Sequence, residues 1–227
     1  QMSAIPRGSG NTKAVSDWCA DFARARGLEY HQDGDNNIII IKEAAPGYEA
    51  APPVILQGHL DMVCEQTADC QKDMSREGLD LAGGGGFVYA KGTTLGGDDG
   101  IAVAMALALL DAEGLPHPRL EAVFTVDEEI GLLGAASIDV TPLKGRQMLN
   151  LDSEAEGIFT VSCAGGNTSA CLLPLTRAPF DGAGVTVAVG GLTGGHSGAE
   201  IHKGRANANV LMGRILRAAA RRTELRL

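Results

Sequence analysis

Three short apolar runs, each closed by His, Asp or Glu, constrain the fold of this chain more than any other feature. They are PVILQGHLD (Pro53 to Asp61), LEAVFTVDEE (Leu120 to Glu129) and MLNLD (Met148 to Asp152). Runs this short, rich in branched side chains and nearly free of polar residues, have the pattern of strands covered on both faces. Asn37 to Ile41 is another. Between the runs lie two helical patterns. Ala14 to Arg26 places Val15, Trp18, Cys19 and Phe22 on one face and is stopped by Gly27, whereas Gly100 to Glu113 (GIAVAMALALLDAE) is rich in Ala and Leu throughout. Asp98 and Asp99 stand ahead of the second helix in capping position. Strands alternating with helices predict an α/β fold, a sheet between two helical layers.

Elsewhere the pattern is weaker. Cys64 to Gly92 dissolves into polar residues and GGGGF, which predicts a long loop with a short strand at Phe87 to Ala90. After about Gly165 the texture changes to an alternating GVTVAVGGL, then GGHSG, then a helical stretch from Ala206 to Arg222. A second domain is expected to begin there, dividing the chain into 1–165 and 166–227.

Charge narrows the function. Against 19 basic side chains stand 28 acidic ones, a formal charge of -9, which repels phosphate and argues against nucleic acid as a partner. No apolar leader opens the sequence, and the longest apolar run, Gly100 to Leu110, is about half of a membrane span. Five cysteines without paired spacing indicate neither a disulfide framework nor a zinc knuckle. The composition predicts a cytoplasmic protein with reduced thiols and no membrane partner.

The residues that close the runs have ordinary explanations one at a time. His59 could be a hydrogen-bonded turn histidine, Asp98 or Asp99 a helix cap, Asp127 to Glu129 a solvated acidic turn, and Asp152 a turn residue. One cap explains one aspartate, not two. Taken together, separate strands ending in His or carboxylate at the edge where α/β sheets build their sites predict a shared pocket. One imidazole and four or more carboxylates in one pocket would repel strongly without a countercharge, and few Lys or Arg lie nearby in sequence. A divalent cation, or a pair bridged by a carboxylate, is the simplest countercharge, and mixed nitrogen and oxygen donors suit zinc, manganese or cobalt. Asp61, two residues beyond His59, is spaced to orient or supplement it. If one glutamate of the Glu128–Glu129 pair ligates metal, the other can move a proton from water to a leaving group.

The motifs GHLDMV, GTTLGGDDGIAVA, FTVDEEIGLLGA, NLDSEAEG and GGHSGAEIHKGRANAN, in that order, with SAIPRGSGN at the start, resemble the aminoacyl-histidine dipeptidases. These are the cytosolic nonspecific branch of the di-zinc aminopeptidase and carnosinase group. The resemblance implies a three-layer αβα catalytic domain carrying an inserted α+β lid, two divalent ions (zinc, with cobalt or manganese as substitutes) and hydrolysis of dipeptides, Xaa-His or broader. It implies that His59 and Asp152 hold one ion, Glu129 the other, and Asp98 bridges both. Asp61 would orient His59, and Glu128 would act as general base and then acid. His196 would contact the substrate carbonyl oxygen from the lid, with Arg205 and Asn207 as further substrate contacts. The lid of such proteins often pairs subunits, so a homodimer is the expected assembly.

Two departures stand out. Members of the family return to the catalytic domain after the lid and supply a second metal-binding histidine, while His31, His117 and His202 match no ligand motif. The sequence is therefore expected to be a fragment lacking that histidine, part of the lid and some N-terminal residues, with its second metal held poorly and no activity alone. Asp99 also stands where relatives carry Asn, a change expected to be tolerated. The rival readings are a noncatalytic metal-binding or interaction module and a related acyl-amino-acid amidohydrolase. Phosphate-cradling by GGGGF or GTTLGGDDG is disfavoured, because neither ends in Lys-Ser/Thr and the aspartates would repel phosphate.

Overall fold

A computed structural model describes the chain except for residues 154, 155, 164, 166, 168, 180, 196–199 and 227. It divides into two compact units, Gln1–Val161 and Ser162–Leu227.

The first unit is built on a five-stranded mixed sheet. In chain order the strands are β1 (Glu29–Gln32), β2 (Ile38–Lys42), β3 (Val54–His59), β6 (Leu120–Thr125) and β7 (Gln147–Asn150); a separate hairpin is made by β4 (Leu81–Gly84) and β5 (Phe87–Ala90). The spatial order is β1-β2-β6-β3-β7. β2 runs antiparallel to β1 and β6, whereas β3 lies parallel to both β6 and β7, with His59 opposite Thr125 and Gln57 opposite Asn150. The carboxyl ends of β3, β6 and β7 therefore open on one edge of the sheet.

Four isoleucines of β2 and all six residues of β6 are buried, which is why these runs lack the alternation of a one-sided strand. One face is covered by α1 (Lys13–Ala25) and α2 (Gly97–Asp111). Val15, Cys19 and Ala23 of α1 and Val103, Ala106, Leu107 and Leu110 of α2 pack with Ile38, Ile40, Leu56, Ala122 and Phe124. The other face, with Ile39, Ile41, Ile55 and Val123, is covered by Ile138 and Leu143, which follow the short α3 (Leu133–Ser137). The architecture is α/β, as the alternation of strands and helices predicts. On β6 the fully buried Glu121 is held by the Arg119 guanidinium at 2.7 Å and by the amides of Lys144 and Gly145.

Several expectations are corrected. Gln147 to Leu151 reads as an interior strand, yet β7 has a sheet neighbour on one side only among the described residues, and all four of its residues are exposed. Asp98 and Asp99 do not serve as the cap of α2: its N-cap is Gly96, the Asp99 carboxylate turns inward to the His59 amide, and Asp98 Oδ1 faces the His59 ring. α2 is not buried all round, since Ile101, Met105 and Leu109 face outward. The Cys64–Gly92 region holds two strands rather than one, joined by Gly85 and Gly86 with positive φ, the glycine pair that a two-residue hairpin turn favours.

In the second unit, α4 (Ala208–Ala220) is the one α-helix among the described residues, and no strand is assigned there, including in the alternating GVTVAVGGL. No helix of the described residues is long and apolar enough to cross a membrane. The five cysteines are free.

Candidate metal centre

β3 ends on His59, which is 1% exposed, and the chain turns there so that Asp61, wholly buried, comes back against the ring. The His59 Nδ1 lies 3.2 Å from Asp61 Oδ1 and 3.1 Å from the Asp61 carbonyl oxygen. Its Nε2 points the other way, 3.0 Å from Asp98 Oδ1 and 3.9 Å from Glu128 Oε2. One nitrogen is held from behind while the other faces a group of carboxylates.

The acidic segment after β6 is bent toward this point by its backbone. Asp127 adopts φ 56, a left-handed conformation that Asp tolerates better than most residues. The amides of Glu128 and Glu129 then donate to the two oxygens of Asp61, at 3.1 and 3.3 Å. Asp61 thus anchors both the imidazole and the turn that carries the glutamates. Asp99 is 2% exposed, and its Oδ2 accepts the His59 amide at 3.1 Å. Gly58 makes room for it, since a Cβ there would stand 2.5 Å from that oxygen.

Three sets of donor atoms each gather within 4.8 Å: His59 with Glu128 and Asp152, His59 with Asp98 and Glu129, and Asp98 with Asp99 and Asp152. His59, Asp98 and Asp152 each belong to two sets. The expected residues His59, Asp61, Asp98, Glu128, Glu129 and Asp152 are thereby brought together.

Electrostatics show what the cluster lacks. Burial pushes Glu128 up, as do Asp152, Glu129 and Asp61 against the opposing pull of His59; burial likewise pushes Glu129 up, with Asp98 next in effect. Burial raises Asp99 to about 7, assisted by Asp152 and Asp98. Burial opposes the charge on His59, but Asp61, Asp98 and Asp99 outweigh it and lift the ring to about 9. Asp61 is brought down to about 2, its burial outweighed by His59, Ser9 and the Glu128 amide. Carboxylates held this high are short of positive charge. An imidazole and several carboxylate oxygens around one point form the donor set that zinc, cobalt or manganese accepts, and the residues fit a divalent ion.

The chain as a whole has counterparts among known proteins. Over 231 aligned residues the chain is 38% identical to the cytosol non-specific dipeptidase of Escherichia coli strain K12, using 100% of this chain and 47% of that protein. A crystal structure of the aminoacylhistidine dipeptidase of Vibrio alginolyticus superposes with a TM-score of 0.68 and 34% identity, over 95% of this chain and 44% of that one. The chain is thus similar to the cytosol non-specific and aminoacylhistidine dipeptidases. It spans about half the length of these relatives. A tripeptidase of Staphylococcus aureus, at 22% identity and a TM-score of 0.54, shares the fold over 68% of this chain and 41% of its own. No family model matches the chain.

The substrate contacts expected from the family resemblance belong to the second unit. His196 lies outside the described residues. Arg205 is engaged by Glu200, with Nη1 2.6 Å from Oε2. Asn207 caps α4, its Oδ1 accepting from the amides of Asn209 and Val210 at 2.9 and 3.1 Å. Asp99, Arg7 and Ser9 border the site, although their motifs alone assign them no place there; glycine at 58 opposite Asp99 and at 96 and 100 opposite Arg7 is the local signal for two of them.

Proposed function

We propose that this chain carries the catalytic centre of a metal-dependent dipeptidase acting in the cytoplasm. The observation that carries the reading is the convergence of His59, Asp98, Glu128, Glu129 and Asp152 from four separate segments into overlapping donor sets. The similarity to a cytosol non-specific dipeptidase and an aminoacylhistidine dipeptidase supports the substrate class.

In this reading His59 and Asp152 would hold one divalent ion and Glu129 a second, with Asp98 serving both. Two such ions, zinc with cobalt or manganese as substitutes, would polarise the scissile carbonyl and acidify an attacking water. Asp61 holds the His59 ring with its Nδ1 side occupied, so that Nε2 is presented for ligation. Glu128 sits beside the ring with its head partly open to solvent. It takes the proton from the attacking water and delivers it to the leaving amine nitrogen. Because Glu128 and Glu129 are adjacent and both tethered by Asp61, one can ligate while the other titrates. His196, Arg205 and Asn207 are assigned to the substrate, His196 stabilising the developing oxyanion, and a homodimer paired through the second unit is the proposed assembly.

The test combines zinc titration of the chain with a dipeptide assay on the longest natural protein that contains it. Zinc binding that disappears in His59→Ala, and hydrolysis abolished by chelator and restored by zinc, are expected. Chelator-resistant hydrolysis, or zinc binding indifferent to His59, would refute the reading.

A further inference from the structure

The SAIPRGSGN stretch takes no part in the chemistry above, yet it is stitched to the segments that carry His59, Asp98 and the Glu128–Glu129 pair. The Met62 amide donates to the Arg7 carbonyl at 3.1 Å, and Gly8 forms a parallel bridge with Met62. Ser9 Oγ donates to Asp61 Oδ2 at 2.7 Å, and the Gly10 amide donates to Asp127 Oδ1 at 2.7 Å.

At the middle of this strap lies Arg7, 3% exposed. Its Nη1 donates to the carbonyl oxygens of Leu60 and Asp61, at 2.7 and 3.1 Å, immediately after His59. Its Nη2 donates to the carbonyl oxygen of Gly96, two residues before Asp98. Glycine makes the space: a Cβ on Gly96 would run into Nη2, and one on Gly100 would come within 2.8 Å of it. The arginine of one motif and the glycines of another therefore form a single device.

We propose that Arg7 is a positioning residue of the metal centre: by gripping the backbone behind His59 and the backbone ahead of Asp98 on one planar guanidinium, it sets the separation of those two ligands. The inference rests on the reading of His59 and Asp98 as metal ligands. A rigid fork suits the task because its donors have fixed spacing and direction; a lysine would bring the same charge as a mobile point donor. The Coulombic share is secondary, since Asp61, Asp98 and Asp99 all lie close enough to feel the cation whether or not it holds the backbone.

Cobalt titration of the full chain tests this, read by affinity and by the visible d–d spectrum, which reports ligand geometry independently of turnover. Arg7→Lys keeps charge but loses the fork. It is expected to retain the circular dichroism of the folded protein, to bind cobalt roughly tenfold to a hundredfold more weakly, and to shift the d–d bands. Gly100→Ala displaces the guanidinium without removing it and is expected to move both readouts in the same direction. Wild-type affinity and spectrum in a folded Arg7→Lys would overturn the proposal, whatever happens to the unfolding temperature. Should Arg7→Lys fail to fold, Gly100→Ala decides by the same criterion. A wild-type chain that binds no cobalt would instead sink the metal centre itself.

Discussion

β6 and β7 deliver carboxylates to the same cluster from opposite surroundings. β6 is buried along its whole length and carries Asp127 to Glu129 just beyond its end; β7 is exposed at every residue and leads to Asp152. The acidic turn after β6 takes its precision from the core beneath it and from the two amide bonds to Asp61. Asp152 is located instead by the backbone: β7 pairs with β3 through Gln57, and the Leu151 amide donates to the Gln57 carbonyl at 3.0 Å. On the proposed reading, the residue assigned to move the proton is thus built on the rigid side, and β7 leads to an assigned ligand whose place depends on its ladder.

That contrast can be tested at both ends. The largest effect is expected from Glu128→Gln, which removes the proton acceptor while keeping size. In the longest natural protein that contains this chain, turnover should fall by about 10²–10⁴-fold with zinc stoichiometry unchanged, and near-normal hydrolysis would take Glu128 out of the base role. Phe124→Ala empties a fully buried position on β6 and should lower unfolding free energy by about 3–5 kcal/mol in denaturant. Asp61→Asn leaves the fold but loosens the shared anchor. Zinc affinity should fall by roughly tenfold to a hundredfold, measured by chelator competition.

Glu121→Gln probes the buried staple of β6 through pH. Burial opposes the charge on Glu121, but Arg119 and the amides of Lys144 and Gly145 win and bring its pKa below the ordinary glutamate value. A depressed carboxylate contributes stability above its unfolded pKa, about 4.3, and loses it as pH falls through the folded value. The variant should therefore be less stable by about 1–2 kcal/mol near pH 7, with the gap narrowing as pH drops below about 4.3. A gap that is constant with pH would contradict the assignment. Met148→Ala on β7, 59% exposed, should change stability by no more than about 0.5 kcal/mol; a larger loss would show that β7 is packed rather than open, erasing the contrast with β6.

What could be read in advance follows the same divide. β2, β3 and β6 announce themselves because burial on both faces leaves unbroken apolar runs, and parallel pairing then makes His59, Asp127 to Glu129 and Asp152 neighbours. β7 misleads because Met148 and Leu149 are apolar without being buried. β1, with the sequence EYHQ, and α3, with five residues, carry too little period to register. Arg7 and Asp99 escape for another reason: their partners are backbone groups about 50, 90 and 40 residues away in the chain, and no local pattern encodes a contact that only tertiary closure creates.

The register of β3 against β6 and β7 makes the chain unequal in its tolerance of insertions. One residue added within β3 would advance His59 by about 3.3 Å and flip its side chain to the opposite sheet face, dismantling the ring's contacts at a stroke. Lengthening the Gly85–Gly86 turn would alter a loop tip and leave the ladder of the main sheet in step. Natural variation in length should therefore gather in the hairpin and be excluded from the three parallel strands.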